Sequence, residues 1–83
     1  LITRVVPSDK LDETIAAILR SLSAKSPIAI RIGKEAFHAS AGLSLEEALD
    51  TLAMKFLAVA STEDAREGIT AFLEKRPPKF MGR

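Results

Sequence analysis

A chain of 83 residues has room for one domain, and at that size folding buries only roughly 60–65% of the chain's surface. Twelve Lys and Arg against 11 Asp and Glu leave a net charge of +1, which gives no general field for nucleic acid or an anionic membrane, so any anion site must be local. The absence of cysteine excludes disulfides, thiolate metal sites and thiol nucleophiles, and leans the compartment toward cytosol or an organelle matrix.

The 47% hydrophobic content, with four Phe and no Trp or Tyr, calls for a core of Leu, Ile, Val and Ala, which suits close helix packing. No apolar run approaches the ~18–20 residues needed to cross a bilayer. The chain opens on Leu1-Ile-Thr-Arg-Val-Val6, an apolar, β-branched run without Met that reads as a strand stub cut at its start. Such a stub needs a neighbouring strand, because an isolated strand leaves its backbone groups unsatisfied.

Pro7-Ser8-Asp9 is a turn and helix-start signal, with Ser8 or Asp9 placed to cap orphan N–H groups. Leu11, Ile15, Ile18, Leu19 and Leu22 follow at helical spacing, and the helix stops by Ser26-Pro27, since the residue before proline avoids helical geometry. Ile28, Ile30 and Ile32 alternate as a strand would, yet Ser26-Pro27 has the form of a helix start. Continuation through Ala41 to Gly42 decides for helix, with Ala29, Ile32, Ala36 and Phe37 as its stripe and Gly42 as a left-handed terminal residue.

Ser44-Leu-Glu-Glu47 is a capping-box pattern, and Leu45, Ala48, Leu49, Leu52, Phe56 and Val59 carry a third helix from it. After a break at Ser61-Thr62, Glu63 and Asp64 sit at the positive end of a fourth helix whose buried stripe is expected to be Ala65, Ile69, Phe72 and Leu73. Gly68 costs that helix stability, and close packing would explain it. Pro77-Pro78 ends the helix and stiffens the tail.

No catalytic or metal-binding constellation stands out in these residues. His38 has no second His and no Cys for a zinc set, and suits an ordinary helix position. Glu46-Glu47 and Glu63-Asp64 fit dipole complementation better than acid/base chemistry, and Ser21, Ser23 and Ser26 lack a His at useful spacing. The tail is more informative: Lys75, Arg76, Lys79 and Arg83 fall within nine residues opposed by Glu74 alone, flanked by Phe72 and Phe80. On residue types alone, cations complementing the helix dipole are the safer reading; the functional one is that a basic side chain beside an aromatic ring suits a phosphorylated, purine-containing ligand.

The ending Thr62-Glu-Asp-Ala-Arg-Glu-Gly-Ile-Thr-Ala-Phe-Leu-Glu-Lys-Arg-x-Pro-x-Phe80-x-Gly-Arg83 resembles the C-terminus of the enoyl-CoA hydratase/isomerase (crotonase) family. Val5-Val-Pro7, Ser26-Pro27, Lys34-Glu-Ala36 and Gly42-Leu-Ser-Leu-Glu-Glu-Ala48 stand in that family's order and spacing, so the resemblance covers essentially all of residues 1–83. It implies a mainly α fold: a four-helix C-terminal segment of a crotonase-like subunit behind a short N-terminal strand stub. The oxyanion-hole amides and catalytic carboxylates would lie in a preceding spiral domain, leaving this chain none of its own. The helices would pack subunits into trimers or hexamers.

The same resemblance assigns acyl-CoA binding to Phe72, Lys75 and Arg76 of the basic ending, with Phe72 along the ligand and Lys75 toward the nucleotide phosphates. Pro77 departs from the pattern, standing where many relatives carry a basic residue. No cofactor is implied beyond the CoA thioester as substrate. The expected activity of the parent is a lyase reaction, water adding reversibly to a 2-enoyl-CoA in the cytoplasm or a mitochondrial matrix, without membrane or nucleic-acid partners. An isomerase or other acyl-CoA enzyme of the family is one alternative. The other is a stand-alone helical module whose apolar stripes bind a partner protein.

Overall fold

A computed structural model describes residues 2–83 and shows four helices: α1 (Leu11–Ser23), α2 (Pro27–Ser40), α3 (Leu45–Ala60) and α4 (Glu63–Glu74). Among the described residues there is no strand; residues 2–6 lack a neighbour that could complete a ladder, and Leu1 lies outside the described range. The proposed caps at Ser8 and Asp9 are replaced by a single 3-10 turn over Ser8–Lys10, closed by the Lys10 amide donating to the Pro7 carbonyl at 2.9 Å. The chain tightens there before α1 begins, so neither side chain caps a helix.

The other starts follow their sequence signals. Ser26 accepts from the Ala29 amide at 3.3 Å with Pro27 at the first helical position. Ser44 accepts from Glu47 at 3.2 Å, and Thr62 from Ala65 at 3.0 Å. The Thr62 hydroxyl also donates to the Val59 carbonyl at 2.7 Å, so one side chain joins the end of α3 to the start of α4. Helix α2 stops at Ser40, and residues 40–43 form a type II turn in which Gly42, at φ 79°, takes the position that requires a left-handed residue.

Helices α2 and α3 make the most extensive pair, with Glu35 bridging to Lys55 at 3.5 Å, and α4 packs more lightly on both. Among the described residues the buried apolar ones are few: Ile32, Ala36 and Ala71. No residue of α1 is buried. Phe37, expected in the α2 stripe, is 73% exposed; its ring meets His38 edge to face at 5.7 Å.

The molecule is a slab of 44 × 38 × 18 Å with a radius of gyration of 16.1 Å, against about 12 Å for a compact chain of this length. Its accessible surface is 7020 Å², against about 4,900 Å² for a folded monomer of its mass. The excess, about 2,100 Å², is surface that the four helices leave uncovered.

Candidate functional site

Helix α4 has two faces, and the structure covers the one that hydropathy did not select. Ala71 and Asp64 are buried, with Glu67 and Gly68 half-buried between them at helical spacing. Of the expected stripe Ala65 is half-buried, while the large residues lie open instead, with Ile69 64%, Leu73 73% and Phe72 82% exposed. The reason is the tail. After Glu74 the chain turns back and occupies the Asp64–Ala71 side, and among the described residues no element covers the apolar side.

The reversal is made at Lys75, whose backbone stands in the left-handed region at φ 55°, ψ 46°. Its amide donates to the Phe72 carbonyl at 3.2 Å and that of Arg76 to the Ala71 carbonyl at 3.0 Å, the paired bonds of a Schellman ending. Glycine usually fills such a position, because a side chain there meets its own backbone. Here the position presents a lysine.

Three anchors then hold the returning tail. The Arg76 guanidinium forks onto Glu67 at 2.6 and 3.2 Å and also meets Glu74 at 2.6 Å, while Glu67 accepts from the Lys79 amide at 3.0 Å. The Arg76 bonds, with help from the Lys79 amide, hold the Glu67 carboxyl at about 2, far below the usual carboxylate range, and raise Arg76 in turn. Next, the Phe80 ring lies over Gly68, 3.6 Å from where a Cβ would stand, which supplies the packing partner expected there.

The last anchor is Asp64, 2% exposed. It accepts from the Ser26 hydroxyl at 2.6 Å, the Met81 amide at 2.7 Å and the Gly82 amide at 2.9 Å, while its own amide donates to the Arg83 carbonyl at 2.7 Å. Burial alone would raise its carboxyl; the Ser26 hydroxyl and the tail amides outweigh that and hold it below the ordinary value. Gly82, at φ 81°, passes beside the Pro27 ring and so brings the tail to the start of α2.

This folding-back changes the charge count of the basic ending. Glu63 and Glu67, distant in the sequence, come to Arg83 at 2.7 Å and to Arg76. Among the described residues the side chains of Lys75 and Lys79 have no ion-pair partner, while Arg76 and Arg83 do. Of the three predicted ligand residues, Phe72 and Lys75 therefore stand open on one helix end, and Arg76 faces inward as the brace beneath it. Elsewhere, a depression of about 930 Å³ lies along α1, α2 and α3, with Leu22, Pro27 and Ile30 on its apolar side and Arg31, Lys34 and Lys55 at its rim. His38 also borders it and joins no triad with nearby acids among the described residues.

The family model for enoyl-CoA hydratase/isomerase matches residues 1–83. The 2,3-dehydroadipyl-CoA hydratase of Escherichia coli K12 is 37% identical over the whole chain, which covers 32% of that protein. In crystal structures, the enoyl-CoA hydratase of Bacillus anthracis superposes with a TM-score of 0.88 at 34% identity over 95% of this chain and 31% of its own. An enoyl-CoA hydratase/isomerase of Mycobacterium paratuberculosis reaches 0.91 at 33% identity over 99% and 32%. The chain thus spans about a third of the length of the relatives it matches, and with all 83 residues matched it belongs to the enoyl-CoA hydratase/isomerase (crotonase) family.

Proposed function

We propose that this chain is the helical part of an enoyl-CoA hydratase-type enzyme, contributing subunit assembly and one edge of the acyl-CoA site, and inactive alone. The observation that carries the reading is the end of α4, where Phe72 is 82% exposed beside a lysine held in a left-handed turn. An exposed ring next to an ammonium without an ion-pair partner offers a stacking or apolar face and a cation to a phosphorylated thioester. Arg76 belongs to the same site as its brace, since its fork is taken by Glu67 and Glu74. The CoA thioester enters as substrate, and no cofactor is invoked.

Assembly is supported by the large apolar side chains that α1 and α3 leave exposed, among them Leu19, Leu22, Leu49, Phe56 and Leu57, which need a partner surface to be buried. The family match over residues 1–83 weighs against a stand-alone interaction module. The described residues contain no helix long and apolar enough to cross a membrane, and we place the enzyme in the cytoplasm or a mitochondrial matrix. In the full-length protein, Lys75→Ala should weaken binding of a four-carbon enoyl-CoA by about five-fold, corresponding to one exposed charge contact near 1 kcal/mol. An unchanged Kd and KM would remove the role at Lys75, and enzyme-like hydration by the isolated chain would refute its inactivity.

A further inference from the structure

We propose that Asp64 is the positioning residue for the Phe72–Lys75 end of α4, fixing that end by tying the returning tail and the start of α2 to the helix's first turn. The inference rests on the acyl-CoA reading of the helix end. Complementing the helix dipole does not require what Asp64 does. Its neighbour Glu63 offers the same charge to the same helix terminus with its side chain 65% exposed and, among the described residues, paired with Arg83 alone. Asp64 is buried and takes its donors from Ser26, 38 positions away, and from Met81 and Gly82, 17 and 18 positions away. Three segments of the chain meet on one carboxylate.

The geometry makes that junction a pivot for the far end of the helix. At 1.5 Å per residue, Lys75 lies roughly 16 Å along the axis from Asp64, so a 10° swing about the first turn moves it roughly 3 Å. A displacement of that size removes a hydrogen bond to a bound phosphate outright. The tail closes the frame. It leaves Lys75, runs back through the Glu67–Arg76 fork and the Phe80–Gly68 contact, and ends on Asp64, so both ends of α4 are held by one strap. Ser26 ties the strap to α2, since its oxygen caps Ala29 while its hydroxyl donates to Asp64.

The test uses the full-length protein, with a four-carbon enoyl-CoA as substrate. Asp64→Asn keeps the shape but places an amide NH₂ against N–H donors; exchange of the Met81 and Gly82 amides should speed at least ten-fold, and KM should rise three- to ten-fold with kcat within two-fold. A merely destabilised enzyme would show the reverse, a lower apparent kcat at unchanged KM. If Asp64→Asn does not fold, Ser26→Ala and Ser26→Thr decide the matter: the first should raise KM two- to three-fold, and the second, which keeps the hydroxyl, should restore it. An unchanged KM in Asp64→Asn, or Ser26→Thr behaving as Ser26→Ala, overturns the proposal. Lys75→Ala run beside them separates the failures: if it raises KM and Asp64→Asn does not, the acyl-CoA reading stands and the positioning role falls, whereas an unchanged KM in Lys75→Ala removes both.

Discussion

Replacing Lys75 with glycine and with alanine should separate two properties that the wild-type residue combines. The left-handed backbone at φ 55°, ψ 46° costs a residue with a Cβ roughly 1–2 kcal/mol, a cost glycine avoids. Glycine's larger freedom in the unfolded chain returns roughly 0.4–1 kcal/mol of that gain, so Lys75→Gly should be stabilised by about 0.5–1 kcal/mol. Lys75→Ala keeps the Cβ and gains nothing. In thermal melts of the full-length protein the glycine variant should therefore lie about 1–4 °C above the alanine variant. Titration with a four-carbon enoyl-CoA should show the opposite grouping: both variants lose the ammonium and weaken together by about five-fold. Equal melting temperatures would refute the left-handed assignment at this position. Wild-type affinity in both variants would show that the lysine is kept there for some reason other than the ligand.

Gly68→Ala should stabilise the protein by about 0.5–1 kcal/mol in urea melts, because alanine is the better helix former and its methyl would meet the Phe80 ring at 3.6 Å, an ordinary contact; a loss of stability would show that the ring cannot accept it. Acid should loosen the tail before the α2–α3 pair. Asp64 and Glu67 both titrate below their ordinary values of 3.8 and 4.5, so their stabilisation is complete above those values and is lost as pH falls through the folded-state ones, about 2 for Glu67. Amide exchange at residues 79, 81 and 82 should therefore quicken on acidification from pH 5 toward 2, after correction for intrinsic rates, and Glu67→Gln should flatten that dependence at Lys79 alone. A pH-independent protection pattern would show that the carboxylates do not hold the strap.

The local signals were legible because each is a short-range contest settled by neighbouring residues. Ser26-Pro27, Ser44 and Thr62 mark three helix starts, and Gly42 a left-handed turn, since caps and turns are decided within four residues. What hydropathy could not decide was which face of α4 the chain itself would cover. Ala65, Ile69, Phe72 and Leu73 are the apolar stripe, and ordinary amphipathic logic turns them inward. Yet the covering element is the tail, whose hold on α4 consists mostly of hydrogen bonds and one aromatic ring, so it selected the stripe of Asp64, Glu67, Gly68 and Ala71. The sequence did carry a trace of this, since an acid, an acid, a glycine and an alanine recur at i, i+3, i+4 and i+7 opposite the apolar stripe.

Read the same way, the exposed faces are consistent with one another. In α1, Leu11, Ile15, Leu19 and Leu22 are 45–58% exposed, and in α3, Leu45, Leu49, Phe56 and Leu57 are 57–77% exposed. At roughly 25 cal/mol per Å², leaving even half of the 2,100 Å² surplus uncovered as apolar surface forgoes about 25 kcal/mol, several times the net stability of a small domain. Among the described residues nothing covers these two apolar stripes. The capped helix starts, the Schellman ending and the Asp64 strap fix the directions in which those faces point. The sequence therefore spends its polar residues on orienting helices and leaves large apolar side chains of α1 and α3 exposed, which fits the proposal that these helices complete a larger subunit.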